Sequence, residues 1–223
     1  MYFCNESINA IRAYLRNEYD YYPSKSVIVK WINKYSEIAQ KALSHFKPLI
    51  SDQWIVIESI IKISKLKVRV LDIIDYQTRY LLSSSAILAD TETGIERLLN
   101  QAIDIGGIIP TVITWDMASL KPDSKGRYHL PAYLPESIQF VKSKKLNQNN
   151  DESYIPSERN KILAGLRSME SAKQFLGRYN IHYNYFRPND ALGGSTPARA
   201  AGILYPYKTW ADIITKISPQ KNT

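Results

Sequence analysis

FLGRYNIHYNYFRPNDALGGSTPARAAG, residues 175–202, is the stretch whose reading decides the fold. Phe175, Leu176, Tyr179 and Tyr183 fall at i, i+1, i+4 and i+8, the spacing of one helical face. Pro188 removes a backbone donor and pushes Arg187 out of the helical region, so the helix is expected to stop near Phe186. Asn189-Asp190 and Gly193-Gly194 are turn chemistry. Thr196 reads as an N-cap with Pro197 at the first helical position, and Gly202 closes the short Ala-rich helix 197–201. A helix, a tight polar turn and a short capped helix make a rigid closing element.

The chain before this element supplies a sheet. Residues 54–63 (WIVIESIIKI) are apolar and β-branched and predict a strand. Residues 65–67 are the expected turn, 68–74 a second strand and 80–87 a third, so three sequential strands make an antiparallel meander. Thr91 is expected to cap a helix over 91–105, with Ile95, Leu98, Leu99 and Ala102 inward and Gly106-Gly107 ending it. Residues 108–114 then predict a fourth strand, parallel to the first after the crossover. This β-β-β-α-β order is that of the RNase H-like fold, an α/β class with a mixed sheet flanked by helices. Residues 115–134 are rich in Pro and Gly, Ile138, Phe140 and Val141 form a short apolar segment, and 147–152 are polar. A long helical region is expected over 157–185, broken near Gly165.

Ahead of the sheet the chain reads as helical. Residues 5–16 carry Ile8, Ile11 and Leu15 on one stripe, with Asn5 as the expected N-cap. A tyrosine-rich turn follows over 17–23. Ser24 caps a second helix over 25–34, with Val27, Ile28 and Trp31 inward and Lys25, Ser26, Lys30 and Lys34 outward. Residues 35–47 continue as helix. Two short helices around a turn, the second basic at its start, fit either a helix-turn-helix or a plain helical hairpin with a solvated basic face. The expected division is a helix-turn-helix domain at 1–47, a linker at 48–53, the RNase H-like domain at 54–206 and a C-terminal helix and tail at 207–223.

Composition narrows the partner. Among 223 residues the formal net charge is +8, with 16 Tyr, one Cys and three His, and the isoelectric point is near 9.4. A basic chain favours a polyanion, most simply nucleic acid. A single cysteine, Cys4, excludes an intramolecular disulfide and a cysteine-rich zinc site. No apolar run approaches the ~18 residues of a membrane span and the N-terminus lacks a signal pattern. The expectation is a cytoplasmic, nucleoid-associated protein with no membrane contact.

The pattern His182-Tyr183-Asn184-x-x-Arg187-Pro188-Asn189-x-x-Leu192-x-x-x-Thr196-Pro197 resembles the end of the catalytic domain in insertion-sequence transposases. These are DDE recombinases of the retroviral-integrase superfamily. The resemblance implies an RNase H-like core preceded by a helix-turn-helix. It also implies three carboxylates holding two Mg²⁺ or Mn²⁺ ions for an in-line phosphoryl displacement. In that family the first Asp lies mid-way along the first strand, the second just after the fourth strand, and the Glu at the start of a later helix. Here those positions align with Ile57, Trp115 and Asn150, the last counted back from Arg159-Asn160-Lys161. The nearby carboxylates are Glu58, Asp116, Asp151 and Glu152, and the interval from Asp116 to Asp151 matches the family's. A one-residue step along a strand reverses the face, so Glu58 is expected to turn away from the site of Ile57. Asp116 is expected in a loop, from which it could swing in.

The reading is therefore a DNA-binding protein derived from a DDE transposase, with no catalytic or metal-binding residue assigned and no cofactor. Lys25, Ser26, Lys30 and Lys34 are its expected DNA contacts, with duplex DNA and a second copy of the chain, as a dimer, its partners. One alternative is an active recombinase using the shifted carboxylates with Mg²⁺ or Mn²⁺. The other is an RNase H-like scaffold for self-association.

Overall fold

The computed structural model describes residues 6–88, 93–116, 138–142, 154–155 and 157–217. The chain forms two compact units, one of Met1–Phe46 with Leu204–Thr223 and one of Lys47–Ile203. The C-terminal helix, set apart at 207–223 from sequence, thus groups with the N-terminal helices.

In the first unit, helix α1 spans Ile8–Tyr19 and α2 spans Lys25–Leu43. The cap of α1 is Ser7, whose hydroxyl accepts from the Ala10 amide at 3.0 Å; Asn5 lies outside the described residues. Asp20 ends the helix in the left-handed region, with φ 48°, a conformation that Asp tolerates better than most residues. Ser24 caps α2 by accepting from Val27 N at 3.3 Å. The helix runs on past 34 as the sequence suggested, as a single helix of 19 residues that ends at Leu43 rather than at 47. Nothing at 35 interrupts the period, and the buried stripe runs on through Ile28, Ser36, Ala39 and Leu43. Both α1 and α7, Trp210–Ile217, pack on α2.

The second unit is built on a five-stranded sheet: β1 Gln53–Ile63, β2 Leu66–Asp75, β3 Leu81–Leu88, β4 Val112–Asp116 and β5 Gln139–Lys142. Its order is β3-β2-β1-β4-β5. The first three strands are antiparallel neighbours, and β4 and β5 run parallel to β1. The β1–β2 turn is tighter than the sequence suggested. Ile63 pairs directly with Leu66, so Ser64 and Lys65 alone make the loop and Ser64 takes φ 57°. A two-residue hairpin loop needs such positive φ values to match the twist of its strands.

Strand β4 also differs from expectation. It starts at Val112 rather than Ile108, because Pro110 has no amide to donate and Thr111 and Val112 both donate to the Asp52 carbonyl. It runs on to Asp116. Helix α3, Thr93–Gly106, crosses between β3 and β4, with Leu98, Leu99 and Ala102 buried as expected. The expected cap Thr91 lies outside the described residues, and nothing is placed for the side chain of Ile95.

Helices α4, Ser157–Ala164, and α5, Met169–Tyr185, are separated at Gly165, and Ser168 recaps the second by accepting from Ser171 N. Pro188 stops α5 as the sequence required: Phe186 is its C-cap, donating to the His182 carbonyl. The closing element then makes a 3₁₀ turn at Asp190–Leu192, with the Asn189 side chain accepting from Ala191 N and Gly193 at φ 61°. Helix α6 spans Pro197–Ala200, capped by Thr196. The Arg187 amide donates to the His182 carbonyl at 3.0 Å, and its guanidinium lies 6.0 Å from the Tyr183 ring. Asn184 docks α5 against the sheet by accepting from Leu81 N at 2.8 Å and donating to Leu81 O at 2.9 Å. It thereby satisfies two backbone groups on the outer edge of β3.

Candidate functional site

Strand register places the candidate positions. Ile57 on β1 lies opposite Asp72 on β2, Asp72 lies opposite Ser84 on β3, and Ile57 lies beside Asp116 on β4. Residues paired across neighbouring strands share a face, so Ser84, Asp72, Ile57 and Asp116 form one row across the sheet.

Trp115 is not part of that row. It pairs with Val56 on β1 and Lys142 on β5, on the opposite face. The alignment that put Ile57 and Trp115 at two corners of one metal site is therefore corrected: alternation along β4 separates them. Trp115 is packed, 6% exposed, and its indole N–H has no hydrogen-bond partner among the described residues. Asp116, expected in a loop, is the last residue of β4. Glu58 lies on the face of Trp115, away from Ile57, and its carboxylate meets Arg69 Nε at 2.8 Å. Asn150, Asp151 and Glu152 lie outside the described residues.

The row holds a closed ion pair that the sequence did not reveal. Arg159, from α4, donates through Nη1 and Nη2 to the two oxygens of Asp72 at 2.6 and 2.8 Å. Ser84 adds a third hydrogen bond to Asp72 Oδ1 at 2.5 Å. Both ionic side chains are fully buried, at 0% exposure. Such a bidentate fork is the geometry in which a buried pair recovers its desolvation cost. The Tyr179 ring lies 5.8 Å from the same guanidinium. Burial foremost pushes the Tyr179 phenol up to about 12, opposed by Arg159. Burial likewise raises Tyr183 and lowers His182 to about 4. These α5 groups are therefore neutral at pH 7 and add no charge beside the Asp72–Arg159 pair.

The described residues of this row do not fit a two-metal centre. Ile57, on the central strand, offers no oxygen. Both oxygens of Asp72 are held by a guanidinium, whose charge also repels a divalent cation. Ile57 fits that setting, because an Asp there would put a second carboxylate ~5 Å from Asp72 without a partner. Among the described residues no group of three or more His, Cys, Asp or Glu could hold a metal ion.

The other candidate residues lie on α2. Lys25, Ser26, Lys30 and Lys34 are all exposed. At the helical period Lys30 and Lys34 fall opposite the buried stripe, as does Lys41, which the sequence reading did not include. Glu37 is the carboxylate on that stripe. Lys25 falls on the side opposite Lys34, and the Ser26 hydroxyl shares a hydrogen bond with the capping Ser24 at 2.8 Å. The structure thus brings Lys30 and Lys34 together and separates Lys25 from them. Extending the 3.6-residue period past Tyr35 would have found Lys41.

The sheet order and the helices on its two faces define an RNase H-like core. Ser83, bonded to the Leu98 carbonyl of α3, marks one face and Arg159 of α4 the other. Comparison with solved structures shows similarity to the HTLV-2 integrase catalytic core domain in complex with magnesium. In its dimeric form the identity is 17% over 70% of this chain and 98% of that one, with TM-score 0.44. In its trimeric form the identity is 16% over 70% and 99%, with TM-score 0.41. A simian T-cell lymphotropic virus intasome in complex with PP2A regulatory subunit B56 gamma is similar at 16% identity over 80% of this chain and 59% of that one, with TM-score 0.38. No protein-family model matches the chain, and no curated protein matches it. No helix among the described residues is long and apolar enough to cross a membrane.

Proposed function

We propose that the protein binds duplex DNA and does not carry out strand transfer, as a derivative of a DDE transposase. The exposed lysine stripe of α2, on a chain of net charge +8, carries the DNA-binding half of this reading. Lysines on one exposed helical face are the residue type that meets phosphates. The Asp72–Arg159 pair beside Ile57 supports the other half. The same reading has the protein as a dimer, cytoplasmic and associated with the nucleoid.

Lys30→Ala and Lys34→Ala are each expected to weaken duplex binding several-fold at every sequence and to reduce the slope of log affinity against log salt by about 1. Fluorescence anisotropy of a labelled duplex across a salt series reads both quantities. Unchanged affinity and slope in both variants would show that α2 is a solvated helix and nothing more. One observation favours the second reading, an active recombinase: Asp116 shares a row with Ile57, and a lone carboxylate there could still contribute to an ion site.

A further inference from the structure

We infer that a cleft between α1 and the turn that follows it is a second contact for a DNA backbone phosphate, separate from the lysine stripe of α2. The cleft is about 430 Å³ and is lined by Asn9, Arg12, Arg16, Asn17, Tyr22 and Pro23. Arg12 and Arg16 stand at i and i+4, adjacent on one side of α1. The turn braces both. Arg12 Nε donates to the Pro23 carbonyl at 3.0 Å, and Arg16 lies over the Tyr22 ring at 5.3 Å. The Tyr22 hydroxyl is held in turn by Asp20 Oδ1 at 2.9 Å.

What the two arginines leave unused points to the ligand. Arg12 spends only Nε on the fold, and no hydrogen bond or ion pair among the described residues involves its two Nη groups. Arg16 makes no side-chain hydrogen bond or ion pair among the described residues; its contact is with a ring face. Two guanidiniums with open donors, two carboxamides and no carboxylate on the walls are a donor set for a singly charged tetrahedral anion. The fork of Arg suits a phosphodiester better than the point charge of Lys does. Bracing by the turn lowers the side-chain entropy lost on binding. The ligand class is the phosphodiester of nucleic acid, because the chain's charge and the α2 lysines call for a polyanion that extends beyond one anion.

This inference rests on the duplex binding proposed above, so its test separates the two. Arg16→Gln and the double variant Arg12→Gln with Arg16→Gln are made in the full chain. Their binding to a labelled duplex is followed across a salt series beside Lys30→Ala with Lys34→Ala. The double arginine variant is expected to lose about 10-fold in affinity and to reduce the salt slope by about 1, the signature of one lost phosphate contact. Arg16→Gln alone is expected to lose about 3-fold by the same accounting. If Arg12→Gln disturbs the fold through its bond to Pro23, Arg16→Gln decides, since that guanidinium makes no hydrogen bond in the fold. Lysine variants that weaken binding while the arginine variants do not would overturn this inference and leave the DNA reading intact. A wild-type chain that does not bind duplex at all overturns both. Inorganic phosphate, titrated at constant ionic strength and watched through the Tyr22 environment by NMR, is the control for source. Saturation by phosphate with no effect of Arg16→Gln on the duplex would make the cleft a free-anion site and contradict the inference.

Discussion

Asp72→Ala is expected to destabilise the core unit by about 3–5 kcal/mol, the cost of leaving one partner of a buried ion pair uncompensated. Arg159 is fully buried and gives two hydrogen bonds to Asp72. Its remaining polar partner is Asn160, at 3.1 Å from Nη2 and 3.3 Å from Nε. Removing the carboxylate strands a guanidinium between β2 and α4. Urea unfolding followed through the buried Trp54 should show the midpoint falling by roughly 2 M, for an m-value of about 2 kcal/mol per M. Replacing both partners, Asp72→Leu with Arg159→Met, is expected to be milder than Asp72→Ala alone, because it removes both charges from the interior. A single variant within about 1 kcal/mol of wild type would mean that the pair is solvated in solution, as exposed pairs are.

The second large effect is at the other end of β2. The Asp75 carboxylate accepts four hydrogen bonds: Ser51 N at 2.8 Å and Ser51 Oγ at 2.6 Å on Oδ1, and Thr78 N at 2.7 Å and Thr78 Oγ1 at 2.6 Å on Oδ2. It ties the entry to β1 to the turn between β2 and β3, where Arg79 takes φ 59°. Asp75→Ala leaves two backbone amides without acceptors and is expected to cost about 2–4 kcal/mol, since bonds to a charged acceptor are the stronger kind. Asp75→Asn keeps one acceptor oxygen and should cost less. Hydrogen exchange resolves the mechanism: the Ser51 and Thr78 amides should lose protection first in Asp75→Ala. Equal protection of both amides in wild type and variant would show that Asp75 is not the clamp.

Much of the fold could be read from the chain because it is written in local chemistry. Pro188 stops α5, Gly193 takes its left-handed turn, and Thr196 with Pro197 opens α6. The order of the first four strands followed from strand succession and one helical crossover, whereas β5, Gln139–Lys142, was legible only as a short apolar segment. The face of each candidate residue was harder to read, because it depends on parity. Ending β4 at Thr114 rather than Asp116 left Asp116 in a loop, and the family's position just after that strand then fell on Trp115. The difference lies in the pairing of β1 with β4, which sets Ile57 beside Asp116 and joins residues far apart in sequence. A one-residue error there exchanges the two faces of the sheet. It also changes the experiment that would rebuild a metal site. Trp115→Asp would put a carboxylate on the wrong face, whereas Ile57→Asp would put one beside the native Asp116. The Asp72–Arg159 pair had no local signature: an Asp within an apolar strand and an Arg in a polar helix find each other only once α4 lies on the sheet. The two arginines of α1 have no signal in the apolar stripe of that helix, and only the turn at 20–23 brings them to one cleft.

The most direct measurement is a single incubation of a labelled duplex with the purified protein, with EDTA or with Mn²⁺, run on native and denaturing gels. The account predicts a salt-sensitive shift of equal strength in both conditions on the native gel. On the denaturing gel it predicts full-length strands in both. The contradicting result is strand breakage that requires Mn²⁺ and disappears in Asp116→Ala, which would make the row of Ile57 and Asp116 a working ion site.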